Sequence, residues 1–208
     1  MLKAELHVHS SLSDGRDSVR KILNAAVEKR IDVISITDHD TVQGSLEAMD
    51  IVNEEKLPLR VIPGCEITSS SGHILAFGIL EDVEPKMPAE ETCRIVRELG
   101  GVCFLAHPFD FIRGGSVRLK DFKVVDGVET FNAKSYCNFI ARKYARKFSK
   151  PEIAGSDAHS ARTVGLAVNF LPDSVSLIES IFYAKYNGKR VSFRERLAFL
   201  LFRLNQRL

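Results

Sequence analysis

The sequence predicts an α/β fold in which mostly parallel strands are covered by helices. Three observations carry the prediction. Short β-type runs alternate with helical stripes along most of the chain. A 208-residue chain that is 45% hydrophobic and 27% charged has the apolar material for one sizeable core. No glycine-rich phosphate loop follows the first run, where His7-Val8-His9-Ser10-Ser11 stands instead, which lowers the dinucleotide-binding type of open sheet. Seven or so strand–helix units in one domain suggest a barrel closed on itself, with an open doubly wound sheet as the competing architecture.

The β-type runs fall at residues 3–9, 32–37, 60–66, 72–78, 101–107, 124–130, 152–157 and 165–171. Between the first two, Val19, Ile22, Leu23, Ala26 and Val27 keep helical spacing behind Asp17 or Ser18 as N-cap, which predicts an amphipathic helix with one buried stripe. Further stripes are marked by Ile95, Val96 and Leu99, by Tyr136, Ile140, Tyr144 and Phe148, and by Val175, Ile178, Ile181 and Phe182. Residues 193–208 mix Arg194, Arg196, Arg203 and Arg207 with Leu197, Phe199, Leu200, Leu201, Phe202 and Leu204. This basic and apolar helix is expected to pack on the barrel or at an interface, with a membrane surface as the other choice. No repeat or linker divides residues 1–208, so a single domain is expected.

Net charge is +2 with both signs dispersed, unlike the one-sided basic footprint of a duplex-binding protein, and stable duplex DNA binding is not expected. Cys65, Cys93, Cys103 and Cys137 form no C-x-x-C pair and read as buried free thiols in a reducing compartment. No apolar stretch approaches roughly 18 residues, so neither a signal peptide nor a membrane span is expected, and the cytoplasm is the default location.

Histidine placement points to the chemistry. All six histidines, His7, His9, His39, His73, His107 and His159, fall within or at the end of a predicted strand. His7 and His9 are two apart and share a face, while Leu6 and Val8 point to the other face, toward covering helices. Asp157 and His159 repeat that spacing at the seventh run. In a parallel barrel the C-terminal strand ends meet at one mouth, which would here be crowded with imidazoles and with Asp14, Asp38, Glu66 and Asp157. Divalent ions satisfy the nitrogens and neutralise the carboxylates of such a group. A lone strand histidine is usually a satisfied core residue. Two H-x-H or D-x-H pairs on separate strands reverse that expectation.

His7-Val8-His9 with Ser13-Asp14-Gly15, Ile36-Thr37-Asp38-His39-Asp40-Thr41, Pro63-Gly64-Cys65-Glu66, Gly72-His73, Ala106-His107-Pro108 and Gly155-Ser156-Asp157-Ala158-His159-Ser160 give the chain, over most of its length, a pattern that resembles the PHP (polymerase and histidinol phosphatase) family. The T-D-H-D-T and S-D-A-H-S forms resemble its stand-alone phosphoesterases. The resemblance implies a distorted (β/α)7 barrel with a trinuclear site of Zn, Mn or Fe at the C-terminal mouth of the strands. It implies that His7, His9, Glu66 and Asp157 hold one ion, Glu66, His73 and His107 a second, and Asp14, His39 and His159 a third, giving two to three ions per chain. Many nucleotide-acting members carry a longer insertion near the site, whereas only 33 residues separate His73 from His107 here.

The expected function is hydrolysis of phosphate monoesters or diesters of a small molecule, nucleotide or short oligonucleotide through a metal-bridging hydroxide. The alternatives are a metal-dependent hydrolase of a non-phosphate substrate and a non-catalytic, metal-stabilised module. In the leading reading His159 stabilises the departing alkoxide, and Asp38 either orients the neighbouring His39 or caps its loop. Arg113, Arg162 and Lys134 are the expected phosphate-binding residues, each a loop cation beyond a strand end. Glu129 and Asn132 end a strand without a ligand pattern, and Phe109 and Phe111 serve either base stacking or packing. Oligomerisation is left open.

Overall fold

The structure is a computed structural model and describes residues 1–205. Its ten strands lie in two five-stranded sheets. In the first, β1 (Leu2–Glu5), β2 (Val33–Ile34) and β3 (Arg60–Val61) run parallel, and β9 (Ala167–Leu171) and β10 (Lys185–Gly188) extend the β1 edge antiparallel. In the second, β4 (Gly64–Ser69), β5 (Gly72–Phe77) and β6 (Val102–Leu105) are antiparallel neighbours, followed in parallel by β7 (Gly127–Asn132) and β8 (Glu152–Gly155).

Two expectations are corrected here. The run predicted over 60–66 is two strands, because Pro63 has no N–H to give a ladder, so β3 ends in the first sheet and β4 begins the second. Only two residues separate β4 from β5, too few for a crossover, and the chain returns as a hairpin. Among the described residues the strands therefore form no closed barrel. The sheets touch through isolated parallel bridges, Val8 with Ala158 and His39 with Glu66. Both bridges contain or adjoin the histidine motifs.

The first helix, α1 (Val19–Glu28), follows the predicted stripe. Ser18 caps it by accepting from the Lys21 N–H, and Val19, Ile22, Leu23 and Ala26 are buried. The next helix, α2 (Gln43–Glu55), has no strong stripe in the sequence and buries the small residues Gly44, Ser45 and Ala48 beside Ile51. The outer layer continues with α3 (Ala89–Glu98), α4 (Asp121–Val124) and α5 (Asn138–Lys147). The buried face of α5 is Ala141 and Ala145, while Tyr136 and Ile140 of the predicted stripe are exposed. The stripe at 175–182 breaks into a four-residue helix, α6 (Leu177–Ser180), and a 3-10 turn (Ile181–Tyr183). The last helix is α7 (Phe193–Asn205).

Leu6 joins a core drawn from both sheets, with Ala4, Phe77, Phe104 and Ile153, whereas Val8 packs beneath α1 with Val19 and Ile22. The strand thus turns after β1, and Leu6 and Val8 do not share one helix-covered face. Cys65, Cys93 and Cys103 are buried, Cys137 is half-buried, and all four are free thiols. Among the described residues no helix is long and apolar enough to cross a membrane.

Candidate metal centre

The strand ends and the loops beyond them surround a cavity of about 740 Å3, lined by Asp14, His39, Glu66, His73, His107, Asp157 and His159, among others. His7 and His9 lie buried at its floor. Their Nε2 atoms are 3.1 Å apart, and Glu66 Oε2 is 3.2 Å from the first and 3.1 Å from the second. The other Glu66 oxygen sits 3.0 Å from His107 Nε2 and 3.1 Å from His73 Nδ1. Asp14 Oδ1 is 3.1 Å from His159 Nε2 and 3.9 Å from His39 Nε2. Asp157 Oδ1 is 3.2 Å from His159 Nδ1 and 3.7 Å from His9 Nε2.

Not every residue arrives from a C-terminal strand end. His73 opens the antiparallel β5, so its N-terminal end supplies the same mouth. His107 and Asp157 have φ of 28° and 50°, a region that side-chain-bearing residues enter only when their surroundings hold them there. For His107 part of that hold is its N–H, which donates to Glu129 Oε2 at 2.8 Å.

This donor set fits a metal ion. Ligands at about 2.0–2.1 Å in a tetrahedron lie about 3.3–3.4 Å apart, close to the spacing of His7 Nε2, His9 Nε2 and Glu66 Oε2. Buried polar atoms ordinarily find hydrogen-bond partners, yet His9 Nδ1 and His107 Nδ1 have none. Groups of three donors that could hold an ion together include all nine of His7, His9, Asp14, His39, Glu66, His73, His107, Asp157 and His159.

Residues the sequence reading left unassigned hold these donors. Glu129 Oε1 is 2.9 Å from His7 Nδ1, the outer ring nitrogen, as in metal sites where a carboxylate fixes the imidazole tautomer. Asn132 Nδ2 donates to Glu129 Oε2 and to Asp157 Oδ2, each at 3.0 Å, so one amide ties two carboxylates. Gly155 permits this packing, because a Cβ there would stand 2.1 Å from Glu129 Oε1. Beneath them Glu5 accepts from the N–H groups of Ser156 and Gly165 and from the Ser156 hydroxyl. A carboxylate next to an apolar core position, Glu5 between Ala4 and Leu6 and Glu129 after Val128, was the available signal.

Two of the three proposed phosphate-binding cations reach the floor. Arg113 pairs with Asp157 Oδ2, and Lys134 Nζ lies 3.2 Å from Asp157 Oδ1 and 2.6 Å from His159 Nδ1. Against the effect of burial, Arg113 and Lys134 hold the Asp157 carboxyl well below the usual carboxylate range. Burial lowers the Lys134 ammonium to about 8 and, with Lys134 adjacent, His159 to about 3. Arg162 is not brought to the cavity; it is 82% exposed and its Nε lies 2.7 Å from Glu195 of α7. Asp38 is buried and accepts from the Ser10 N–H, the Ser10 hydroxyl and the Ser13 hydroxyl at 2.5–2.7 Å, which is the loop-capping arrangement. Phe109 packs against Phe122 and Tyr144, whereas Phe111 is exposed. Arg16, Ile112 and Glu195 line the cavity without having been singled out.

Comparison with known proteins gives the same grouping. The PHP domain family model matches residues 5–139, and a PHP-associated model matches residues 136–184. An uncharacterised protein of Methanocaldococcus jannaschii is 33% identical over 144 residues, covering 64% of this chain and 82% of that protein. A 5'-3' exoribonuclease of Escherichia coli is 37% identical over 65 residues, which are 31% of this chain and 22% of the enzyme. Among solved structures, a two-domain protein from Bacteroides vulgatus containing a predicted PHP-like metal-dependent phosphoesterase superposes with a TM-score of 0.77 at 19% identity, over 90% of this chain and 65% of that one. With the family model spanning more than half its length, the chain belongs to the PHP domain family.

Proposed function

We propose that the nine gathered residues hold two to three divalent ions, Zn, Mn or Fe, and that the protein hydrolyses phosphate monoesters or diesters of a nucleotide or short oligonucleotide. The observation that carries this reading is the meeting of His7 Nε2, His9 Nε2 and Glu66 Oε2 within 3.1–3.2 Å of one another at the floor of an open cavity. When bound, divalent ions offset phosphate charge and lower the pKa of a coordinated water toward about 7.

The protein's own groups do the rest. Glu66 presents both oxygens to five imidazoles, His7, His9, His39, His73 and His107, and so bridges two parts of the site. Glu129 keeps the His7 ring turned with Nε2 toward the cavity. Asn132 holds the Asp157 carboxylate, and Asp38 secures the loop that carries Asp14. Arg113 and Lys134 put two cations at the cavity floor, the planar guanidinium suited to two phosphate oxygens and the ammonium acting as a point charge. His159 serves in this reading as a ligand, its Nε2 directed at Asp14.

The test combines elemental analysis with a substrate panel. Protein saturated with Mn or Zn should retain two to three ions per chain. It should hydrolyse bis(p-nitrophenyl) phosphate or a nucleotide ester, lose that activity to a chelator and regain it with metal. Less than one ion per chain at saturation would overturn the ligand assignment.

A further inference from the structure

Among the described residues, the exposed large apolar side chains include five aromatics, Phe111, Tyr136, Phe139, Tyr183 and Phe193. All but Tyr183 come from segments that also line the cavity. Phe111 immediately precedes the lining residues Ile112 and Arg113, Tyr136 and Phe139 closely follow Lys134, and Phe193 lies between Val191 and Glu195. These four side chains are between 69% and 81% exposed.

The three segments are neighbours around one mouth. The Val191 N–H donates to Ala133 O at 2.9 Å, joining the third to the second, and Cys137 Sγ donates to Phe109 O at 3.4 Å, joining the second to the first. A cation accompanies one of the four rings: the Arg190 guanidinium lies 4.8 Å from the centre of the Tyr136 ring, while Arg16 on the rim lies 4.9 Å from that of Phe202, a further ring on α7.

Flat apolar faces around a cavity lined by Arg16 and Arg113, one of them carrying Arg190, suit a ligand in which flat rings alternate with phosphates. A lipid surface is better met by one continuous apolar helix face, whereas these aromatics are spread over three separate segments. We infer that this rim receives single-stranded nucleic acid, unpaired bases stacking on Phe111, Tyr136, Phe139 and Phe193 while a backbone phosphate enters the cavity. The inference rests on the phosphoesterase reading and adds to it the recognition of bases outside the reacting group.

The test is fluorescence anisotropy of the metal-loaded protein with a single-stranded RNA of about 12 nucleotides, protected by phosphorothioate linkages, and with the same backbone made abasic. The abasic strand should bind at least about 10-fold more weakly, since it keeps the charge and loses the stacking faces. Tyr136→Ala and Phe139→Ala should each weaken binding of the intact strand by about 5- to 10-fold with unchanged metal content and melting temperature, and Tyr136→Phe should remain within about 2-fold of wild type. Equal binding of the intact and abasic strands would overturn the inference. So would preferential binding to phosphatidylglycerol vesicles, or a dimer in light scattering that Tyr136→Ala and Phe139→Ala dissociate. Wild-type hydrolysis of bis(p-nitrophenyl) phosphate is read in parallel: its absence would count against the phosphoesterase reading, while base-dependent binding would still support the surface.

Discussion

At the cavity floor His7, His9, Glu66, His107, Glu129 and Asp157 are buried, and each carboxylate among them meets at least two imidazoles, cations or amide donors. At the rim Ile112 and Arg16 are exposed, and the nearby Arg162 forms a solvent-exposed pair with Glu195. A floor of this kind is costly to disturb, because removing one partner leaves buried donors or charges unmatched. A rim of this kind is cheap to change and can vary with the ligand it meets. On the proposed reading, changes at the floor should affect hydrolysis and changes at the rim should affect recognition.

The largest expected effect is at the floor. His7→Ala removes a donor shared by two of the candidate metal groups and should lower both bound metal and phosphoester hydrolysis by at least about 100-fold. Metal analysis and kinetics on one preparation check it, and a metal-replete, active His7→Ala protein would contradict the assignment.

Next, Glu129→Gln keeps the shape of the side chain but removes the charge that fixes the His7 tautomer. Metal affinity should fall by roughly 10- to 100-fold, as when outer partners of ligands are lost, measured by competition with a fluorescent chelator. An unchanged affinity would reduce Glu129 to a packing residue.

Asp38→Ala tests the edge of the floor. Three buried or half-buried donors, the Ser10 N–H and the Ser10 and Ser13 hydroxyls, would lose a charged acceptor, for a stability loss on the order of 3 kcal/mol. Denaturant unfolding with a chelator present measures this apart from metal binding. Full stability with a selective loss of metal would favour an orienting role toward His39 instead.

The smallest effect should be at Arg162. Replacement by alanine removes an exposed ion pair, and both stability and kcat/KM should stay near wild type, within about 0.5 kcal/mol. Arg113→Ala, at the floor, should lower kcat/KM by on the order of 2 kcal/mol under saturating metal. If the two arginines ranked the other way, the boundary drawn between floor and rim would be misplaced.

Legibility in the sequence follows the same division. The H-x-H motif declared its side chains because two-residue spacing on an extended segment puts both on one face whatever the strand pairs with, whereas D-x-H was legible only as residue chemistry, since Asp157 has a φ of 50° and is not extended. The start of α1 was readable for a similar reason, since Ser18 acts on the N–H of Lys21, three residues away. The helix α2 was not, because three of its four buried residues are glycine, serine and alanine, which beside Ile51 write no apolar stripe.

By itself, then, the sequence determined an α/β chain, the H-x-H and D-x-H pairs and a helix boundary or two, all matters of local spacing and residue chemistry, while the full set of nine candidate ligands came from the family resemblance. Only the tertiary structure decided that Pro63 divides the strands between two sheets, that His73 enters the site from an antiparallel strand, and that Glu129 turns to His7 across 122 positions of sequence. It also decided between two loop arginines that look alike in sequence, sending Arg113 to Asp157 and Arg162 to Glu195. The reason is physical: a long charged side chain is directed by whichever opposite charge the fold brings within reach, and that partner lies on another element whose position local spacing does not encode.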